Sequence, residues 1–232
     1  MKVTAGSGGD QSIPRPTEWR PGGPAPWAHL SPDRRVVDLD RLTTTLIGRE
    51  PGSRLTGAPP PKRDSAVLIP LYVEDDDLAV ILTRRTRRMR AHSGEVSFPG
   101  GGQDAGESLW ETATREAEEE IGLARHIPRQ VGELDRLVTF SSKAQIHPFV
   151  AVVDDVPPLV PSPVEVDRIF AVDLSVLAAD GVFREERWKM PQFDDERTIT
   201  FFELDGDTVW GATATLLRQL LEIGLGVEAD SI

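Results

Sequence analysis

A glycine-rich turn that leads directly into an acidic helix constrains this chain more than any other feature. The stretch from Phe98 to Leu123 reads FPGGGQDAGESLWETATREAEEEIGL. Ser108 followed three residues later by Glu111 is a capping-box pattern, so the sequence predicts a helix that begins at Leu109. Gly122 is suited to the left-handed residue that ends such a helix. The predicted helix is therefore about thirteen residues long.

Three glutamates on this helix have the spacing that places side chains on one face. Glu116, Glu119 and Glu120 stand at positions i, i+3 and i+4, so their carboxylates project close together. Two carboxylates about 5 Å apart at an effective dielectric near 20 repel each other by roughly 3 kcal/mol. No side chain is placed by the sequence to neutralise all three, which predicts a divalent cation between them. Magnesium commonly bridges carboxylates to substrate phosphates, so the pattern indicates phosphate-ester or diphosphate hydrolysis.

The helix also carries a basic residue within its acidic face. Arg115 lies four residues after Glu111 and four before Glu119, so it can brace the face by ion pairs. A run of glutamates is equally typical of a plain solvated helix surface. The residues at fixed distances around the run are what separate these two interpretations.

Composition limits the kinds of partner and the compartment. The net charge of −12 over 232 residues disfavours binding to nucleic acid or to an anionic membrane. The chain has no cysteine, so any metal must bind oxygen or histidine. No apolar run reaches the ~20 residues of a membrane span, and the proline-rich start lacks the apolar core of a signal peptide. We therefore expect a cytoplasmic protein.

Prolines divide the chain into three parts. Ten of the nineteen prolines precede Lys62, and proline is excluded from regular helix interiors and central strands. We expect an extended or disordered proline-rich arm over residues 1–35. Residues 36–62 are predicted to form a short amphipathic helix within Asp38 to Gly48 and a proline-rich linker. The main domain is predicted over residues 63–232.

Apolar patterns within the main domain predict both strands and helices. Ala66 to Val73 and Leu78 to Thr83 flank an acidic turn and predict a strand hairpin. Further strands are predicted over Leu137 to Phe140, His147 to Val153 and Arg197 to Leu204. Helices are predicted over Leu109 to Ile121, Leu174 to Ala179 and Ala212 to Ile223. This mixture favours an α/β or α+β sandwich.

The acidic helix and the turn before it together match a known pattern. Gly101, Glu107 and the run from Arg115 to Leu123 resemble the complete signature of the Nudix hydrolase family. The resemblance implies an α/β fold of the Nudix type, an α/β/α sandwich with a central mixed sheet and a loop-helix-loop metal site. It also implies the cofactor, Mg²⁺ or Mn²⁺, and attack of an activated water on a nucleoside-diphosphate-linked molecule.

The same resemblance implies roles for individual residues. Glu116, Glu119 and Glu120 match the metal-binding glutamates, and the carbonyl of Gly100 or Gly101 is a further expected ligand. Glu107 and Arg115 are expected to support them.

The general base stays open, because family members take it from the signature helix or from a carboxylate on a later loop. Glu165 is the later-loop candidate, and its alternative is a plain surface acid.

Segments on either side of the signature are similar to the coenzyme A pyrophosphatase subgroup. They comprise Ile81 to Thr86, Arg90, Gly94, Phe98 to Gly101, Glu165 to Phe170 and Val209 to Thr213. The resemblance covers roughly residues 65 to 223. It implies cleavage of coenzyme A or acyl-coenzyme A into 4′-phosphopantetheine and adenosine 3′,5′-bisphosphate.

Basic residues upstream of the signature suit a substrate rich in phosphate. Arg84, Arg85, Arg87, Arg88 and Arg90 fall within seven residues and form a potential cationic patch. We assign Arg85 and Arg90 to phosphate binding, because arginine binds phosphate through two hydrogen bonds at once.

The remaining residues assigned to the substrate site are His92, Phe98 and Gly101. His92 is a further donor, and the Phe98 turn with Gly101 lets the backbone approach phosphate. Two positions depart from the subgroup, Glu95 where it usually has glutamine and Gly102 where it usually has a basic residue. Either departure can shift substrate preference.

Two other functions remain as alternatives. One is hydrolysis of a different nucleoside-diphosphate compound, such as ADP-ribose, NADH, a dinucleoside polyphosphate or a damaged nucleoside triphosphate. The other is a non-catalytic nucleotide-binding domain, which has no need of the repulsive glutamate cluster. The partner expected throughout is a small nucleotide-diphosphate molecule, with no nucleic acid and no membrane, and a homodimer is expected from the resemblance.

Overall fold

The computed structural model describes residues 2–54, 60–86, 94–139, 143–191, 193 and 195–227. The cationic patch predicted upstream of the signature therefore lies only partly in the described residues, because Arg87, Arg88, Arg90 and His92 fall outside them. Residues 55–59 of the predicted linker and Phe140 at the end of one predicted strand also lie outside.

Thirteen strands and four α-helices lie in the described residues. The strands are β1 Gly8–Gly9, β2 Trp19–Pro21, β3 Ser53–Arg54, β4 Arg63–Glu74, β5 Asp77–Arg85, β6 Val96–Ser97, β7 Gly100–Gly102, β8 Arg129–Glu133, β9 Arg136–Val138, β10 Ala144–Val152, β11 Val166–Asp173, β12 Phe183–Trp188 and β13 Arg197–Trp210. The helices are α1 Leu39–Ile47, α2 Leu109–Ile121, α3 Leu174–Leu177 and α4 Gly211–Leu225.

The strands form two sheets. Within the described residues, the larger sheet has the order β11-β5-β4-β10-β9-β3, with β6 paired to β5, β7 to β4 and β8 to β10. It is mixed, because β10 runs parallel to β4 whereas β5 and β11 are antiparallel to their neighbours. The smaller sheet has the order β1-β13-β12-β2.

Helices cover the two faces of the larger sheet. Helix α2 packs on one face, where Ala113, Ala117 and Ile121 meet Ala66 and Phe149 in one apolar cluster. The opposite face carries the larger cluster, to which α1, α3, α4 and the smaller sheet contribute. This α/β/α arrangement around a central mixed sheet confirms the predicted fold class.

The hairpin predicted across the acidic turn is confirmed. Strands β4 and β5 pair up to Glu74 and Asp77, which leaves a two-residue turn. The turn residues Asp75 and Asp76 have φ of 53° and 62°, the left-handed values that a type I′ hairpin turn requires. Aspartate tolerates this region better than most residues, so the acidic run fits the turn that it occupies.

Helix boundaries follow the predicted signals closely. Ser108 accepts a hydrogen bond from the Glu111 backbone, and the Glu111 side chain accepts one from Ser108, which completes the capping box. Gly122 ends α2 with φ of 72°. Helices α1 and α4 lie where amphipathic patterns predicted them, whereas α3 ends at Leu177, two residues earlier than predicted.

Residues 2–35, predicted as an extended or disordered arm, contain two short strands and a 3-10 helix at Pro32–Arg34, and they pack against the main domain. Strand β1 pairs with β13 and β2 pairs with β12, so the arm supplies both edges of the smaller sheet. Trp27 is only 1% exposed. Its indole donates to the Ala178 carbonyl at 3.0 Å, and its ring contacts Phe183 and Phe202. The arm is therefore anchored by a buried aromatic side chain.

None of the described helices is both long and apolar enough to cross a lipid bilayer.

Replacing the anchor should destabilise the whole protein. We expect Trp27→Ala to lower the free energy of unfolding by about 3–5 kcal/mol, because it leaves a cavity and removes a buried hydrogen bond. Urea denaturation followed by circular dichroism measures this. The control is Trp19→Ala, whose side chain is 43% exposed and should cost far less. Equal losses in the two variants would show that the arm is not anchored at Trp27.

Candidate active site

The acidic face of α2 lies against the glycine strand β7. Glu120 is 2% exposed, and its carboxylate accepts a hydrogen bond from the Gly100 amide at 3.3 Å. Glu116 lies beside Gly101 so closely that a Cβ on that glycine would come within 2.3 Å of its carboxylate oxygen. A side chain at Gly101 would displace the Glu116 carboxylate, and a side chain at Gly100 would meet the backbone of Ala66 and Val67 on β4.

Strand β5 and a loop after β10 complete the site. Arg85, at the end of β5, contacts Glu120 at 3.2 Å and Glu165 at 3.6 Å. The loop carrying Glu165 is held at the end of α2, since the Ser162 amide donates to the Glu120 backbone carbonyl at 2.9 Å. The structure therefore brings together residues that lie up to 80 positions apart in the sequence, Arg85 and Glu165.

Arg115 binds several carboxylates of the acidic face at once. It binds Glu107 through Nε at 2.7 Å and Nη2 at 3.2 Å. Its Nη1 donates to Glu116 at 2.9 Å and to Glu119 at 3.2 Å, and its Nη2 donates to the Gly102 carbonyl at 3.1 Å. This two-point grip on Glu107 gives Arg115 one fixed orientation.

Two arginines share the charge of the acidic face. Arg115 pairs with Glu116 and Glu119 as well as Glu107, and Arg85 pairs with Glu120, so two positive charges face four carboxylates. Arg85 comes from a distant strand, so its role could not be read from the helix. The predicted ion pair of Arg115 with Glu111 is also absent from the described contacts, because Glu111 caps the helix instead.

The carboxylates of the site differ in their ease of ionisation. The Arg115 guanidinium lowers the pKa of Glu107 to about 2. Burial raises the pKa of Glu120 to about 7, although Arg85 and the Gly100 amide oppose the shift. Burial also raises the pKa of Glu116, which Arg115 partly offsets. The negative charge of Glu165 also raises the pKa of Glu116 and of Glu120. A positive charge placed among these three carboxylates would therefore favour the ionised forms of Glu116 and Glu120.

The donor set suits a hard divalent cation. Glu116, Glu119 and Glu120 offer carboxylate oxygens on one helix face, and the two more buried ones carry an unmet cost of desolvation that a cation would reduce. As the side chains stand, paired with arginine, no three acidic or histidine groups of the described residues converge on one cation position. Arginine is the partner of these carboxylates in the described contacts.

Neighbouring arginines of β5 face opposite sides of the sheet. Arg85 points towards α2, whereas Arg84 binds Asp10 at 2.7 Å and Asp207 at 3.2 Å on the other side. Arg168 of β11 pairs with the same Asp207, which is fully buried. Arg84 therefore ties the arm to the sheet and does not contribute to a phosphate-binding patch.

Phe98, assigned by sequence to the substrate site, needs a correction. Its side chain is 3% exposed and belongs to the apolar cluster on the face of the sheet opposite α2. It packs in the core because the residue lies just before β7, where the chain turns across the sheet. The turn that it begins still delivers Gly100 and Gly101 to the glutamates.

Sequence reasoning missed two supporting residues. The Thr112 hydroxyl donates to Glu107 at 3.0 Å, and the Asp104 amide donates to the same carboxylate at 3.3 Å. Thr112 lies one turn before Glu116 on the same helix face, which is the signal that could have identified it. His147 of β10 is buried and lies 3.0 Å from Asp64 and from the Gln145 amide nitrogen.

A comparison of the sequence with models of protein families finds a domain that contains this site. The NUDIX domain model matches residues 62–192, which span β4 to β12 and include every described residue of the site. The chain belongs to the Nudix family. It is accordingly a Nudix hydrolase, a pyrophosphohydrolase of nucleoside-diphosphate-linked compounds, and its fold is the Nudix fold.

Relatives extend beyond the matched domain. Nudix hydrolase 3 of Caenorhabditis elegans is 32% identical over 82% of this chain and 85% of its own length. Nudix hydrolase 15, mitochondrial, of Arabidopsis thaliana is 38% identical over 68% of this chain and 56% of its own. A MutT/nudix family protein from Enterococcus faecalis has a similar structure over 81% of this chain and 70% of its own, with 16% identity and a TM-score of 0.46.

Burial of Glu120 should make stability depend on pH. Because its pKa rises from 4.5 to about 7 on folding, the folded state prefers the protonated form. The stability that protonation contributes is full below about pH 4.5 and is lost as the pH rises through about 7. Glutamine cannot ionise, so the free energy of unfolding of Glu120→Gln should rise relative to that of wild type as the pH rises across this window, by up to about 3 kcal/mol.

Denaturation of both proteins in EDTA between pH 5 and pH 8 measures the gain. Glu118→Gln is the matched control, since Glu118 pairs with Arg125 outside the site. A constant difference between Glu120→Gln and wild type at all pH values would contradict the assigned burial of a titrating Glu120.

Proposed function

We propose that this Nudix hydrolase cleaves the diphosphate bond of coenzyme A or an acyl-coenzyme A in the presence of Mg²⁺ or Mn²⁺. The products are 4′-phosphopantetheine and adenosine 3′,5′-bisphosphate. The observation that supports the proposal most is the position of Arg85. It is the one arginine of the upstream motif that the described residues place against the glutamates, at 3.2 Å from Glu120.

The metal site in this proposal uses the acidic face of α2. Glu116, Glu119 and Glu120 would hold the cation, and a carbonyl of Gly100 or Gly101 would add an oxygen ligand. When bound, the cation neutralises charge on the diphosphate and lowers the pKa of the attacking water.

The surrounding side chains position the reacting groups. Arg85 would donate hydrogen bonds to oxygens of the diphosphate and so stabilise the charge that develops as the bond breaks. Arg115, locked by Glu107, holds the acidic face in register with β7. In this account Glu107 and Arg115 position the ligands and do not touch the substrate.

Two candidates for the general base remain. Glu165 is 45% exposed and faces Arg85, so it can accept a proton from water that enters from solvent. The alternative lies on α2 itself, where the raised pKa values of Glu116 and Glu120 show carboxylates that bind protons readily. We assign the base to Glu165, because the glutamates of α2 are occupied as metal ligands in this proposal.

The assignment of coenzyme A as the substrate rests on the upstream motif. Arg85 and Arg90, with His92, would bind the 3′-phosphate and the diphosphate, although Arg90 and His92 lie outside the described residues. Gly102, where the subgroup usually has a basic residue, has open space around its Cβ position. That space leaves room for a substrate other than coenzyme A, such as ADP-ribose, NADH or a dinucleoside polyphosphate.

We also propose that the protein acts on a small molecule in the cytoplasm and forms a homodimer. Both the compartment and the dimer remain predictions. The relative from Arabidopsis thaliana carries the word mitochondrial in its name, which describes that protein.

Product analysis by mass spectrometry tests the proposed function. We expect wild type with Mg²⁺ or Mn²⁺ to release 4′-phosphopantetheine from coenzyme A faster than it cleaves ADP-ribose, NADH or diadenosine polyphosphates. Glu119→Gln and Glu120→Gln should lose at least a hundredfold in kcat, because each removes a metal ligand. Glu118→Gln should keep the wild-type rate, since Glu118 binds Arg125 on another face of the helix at 2.8 Å.

Other outcomes separate the alternatives. Faster cleavage of another compound would refute the coenzyme A assignment and leave the hydrolase intact, with Glu95 and Gly102 as the positions to exchange. No turnover of any compound with either metal would instead support a nucleotide-binding domain without catalysis.

A further inference from the structure

A cavity of about 270 Å³ lies on the α2 face of the larger sheet, lined by mostly apolar side chains together with polar atoms. Its lining includes Tyr72 and Ile81 from the β4–β5 hairpin, Ile169 from β11, and Val156 and Leu159 from the loop that follows β10. None of the described residues that line it is charged. The cavity can therefore accept an apolar group, and its described lining offers no opposite charge to an ionic one.

The cavity lies at a defined distance from the site. Side chains alternate along a strand, so Ile81 and Arg85 on β5 face the same side, four residues and about 13 Å apart. Ile169 lies between them, because β11 pairs it with Thr83. The cavity and the diphosphate-binding residues thus share one face of the sheet.

One loop connects the two places. Residues 154–165 begin with Val156 and Leu159 in the cavity and end with Glu165 beside Arg85. Between these ends, Val160 and Val164 are 66% and 75% exposed. The Val160 amide donates to the Ile121 carbonyl at 3.0 Å, which fixes the loop against the end of α2. The loop therefore links the cavity to the side of the site that carries Glu165 and leaves two valines exposed between them.

The distance of about 13 Å along β5 from Arg85 to Ile81 suits one part of the proposed substrate. The pantetheine arm resembles a short peptide chain, and about four such units, at 3.3–3.6 Å each, span roughly 14 Å when extended. With the diphosphate at Arg85, the sulphur end of that arm reaches the level of Ile81. An acyl group attached to the sulphur would then enter the cavity.

We propose that this cavity binds the acyl chain of an acyl-coenzyme A and makes the enzyme prefer acylated substrate. The proposal rests on the proposed function, because it needs the diphosphate of coenzyme A at the glutamates. Each methylene that enters the cavity leaves water, which raises affinity about fourfold if it is fully buried.

Steady-state kinetics with a chain-length series tests the proposal. The substrates are coenzyme A and its acetyl, butanoyl and hexanoyl thioesters. We expect kcat/KM of wild type to rise at least tenfold from coenzyme A to the hexanoyl thioester, mainly through a lower KM. Val156→Asp adds a charge at the mouth of the cavity, and Val156→Phe fills it without charge. Both should lower kcat/KM for the hexanoyl thioester at least tenfold more than for coenzyme A.

Controls keep folding and binding apart. Val156 is 38% exposed, so both variants should keep the thermal stability of wild type, which differential scanning fluorimetry checks. Ile47→Asp, on α1 and 72% exposed, introduces the same charge away from the cavity and should retain the wild-type chain-length profile.

The outcomes distinguish the acyl-binding cavity from the proposed hydrolysis of coenzyme A. If wild type cleaves coenzyme A but shows no gain with chain length, or if the Val156 variants lose activity equally on all thioesters, the cavity is not an acyl site and the proposed function stands. If wild type cleaves ADP-ribose or a dinucleoside polyphosphate but no coenzyme A compound, both proposals fall.

Discussion

The burial of a glutamate beneath a glycine strand is the constraint on which the site depends. Glu120 lies out of contact with water, where an ionised carboxylate is costly unless opposite charge or hydrogen bonds compensate. The Gly100 amide and Arg85 supply part of that compensation in the structure, and the pKa of Glu120 stays raised to about 7 by burial. Both come from parts of the sheet that α2 covers, so the fold of the sheet and the chemistry of the helix are set by the same contacts.

Arginines organise the protein on both sides of the sheet. On the α2 side, Arg115 orders the acidic face through Glu107, and Arg85 joins Glu120 to Glu165. On the other side, Arg84 and Arg168 meet the buried Asp207, and Arg84 also holds Asp10 of the arm. Because side chains alternate along β5, the consecutive residues Arg84 and Arg85 lie on opposite sides, Arg84 against the arm and Arg85 against the glutamates of α2.

Local signals made much of the fold predictable. The capping box at Ser108 and the acidic turn at Asp75 and Asp76 are patterns of a few neighbouring residues, and the structure confirms them. Strand β12 gave no such signal, because its sequence FREERW is mostly charged. Its Glu186 is buried by pairing with Arg15 of the arm and Arg184, and it accepts from the Trp188 indole at 2.6 Å. Those partners are distant in the sequence or lie along an unpredicted strand.

The candidate site was predictable in its residue types and less so in its pairings. Helical spacing places Glu116, Glu119 and Glu120 together, but which arginine meets each one depends on the strand order of the sheet. Phe98 illustrates the same limit, since a residue beside two functional glycines is in the core on the opposite face. The sequence predicted that the glycines allow a close approach of other groups to the backbone. In the structure the Glu116 carboxylate makes such an approach to Gly101.

Manganese binding tests the central claim that the acidic face of α2, packed against β7, is the metal site. A Cβ at Gly101 would overlap the carboxylate of Glu116, whereas one at Gly102 meets no atom within 4 Å. Electron paramagnetic resonance titration of free Mn²⁺ should therefore show at least tenfold weaker binding in Gly101→Ala and wild-type binding in Gly102→Ala. Equal Mn²⁺ affinity in the two variants would contradict this account of the site.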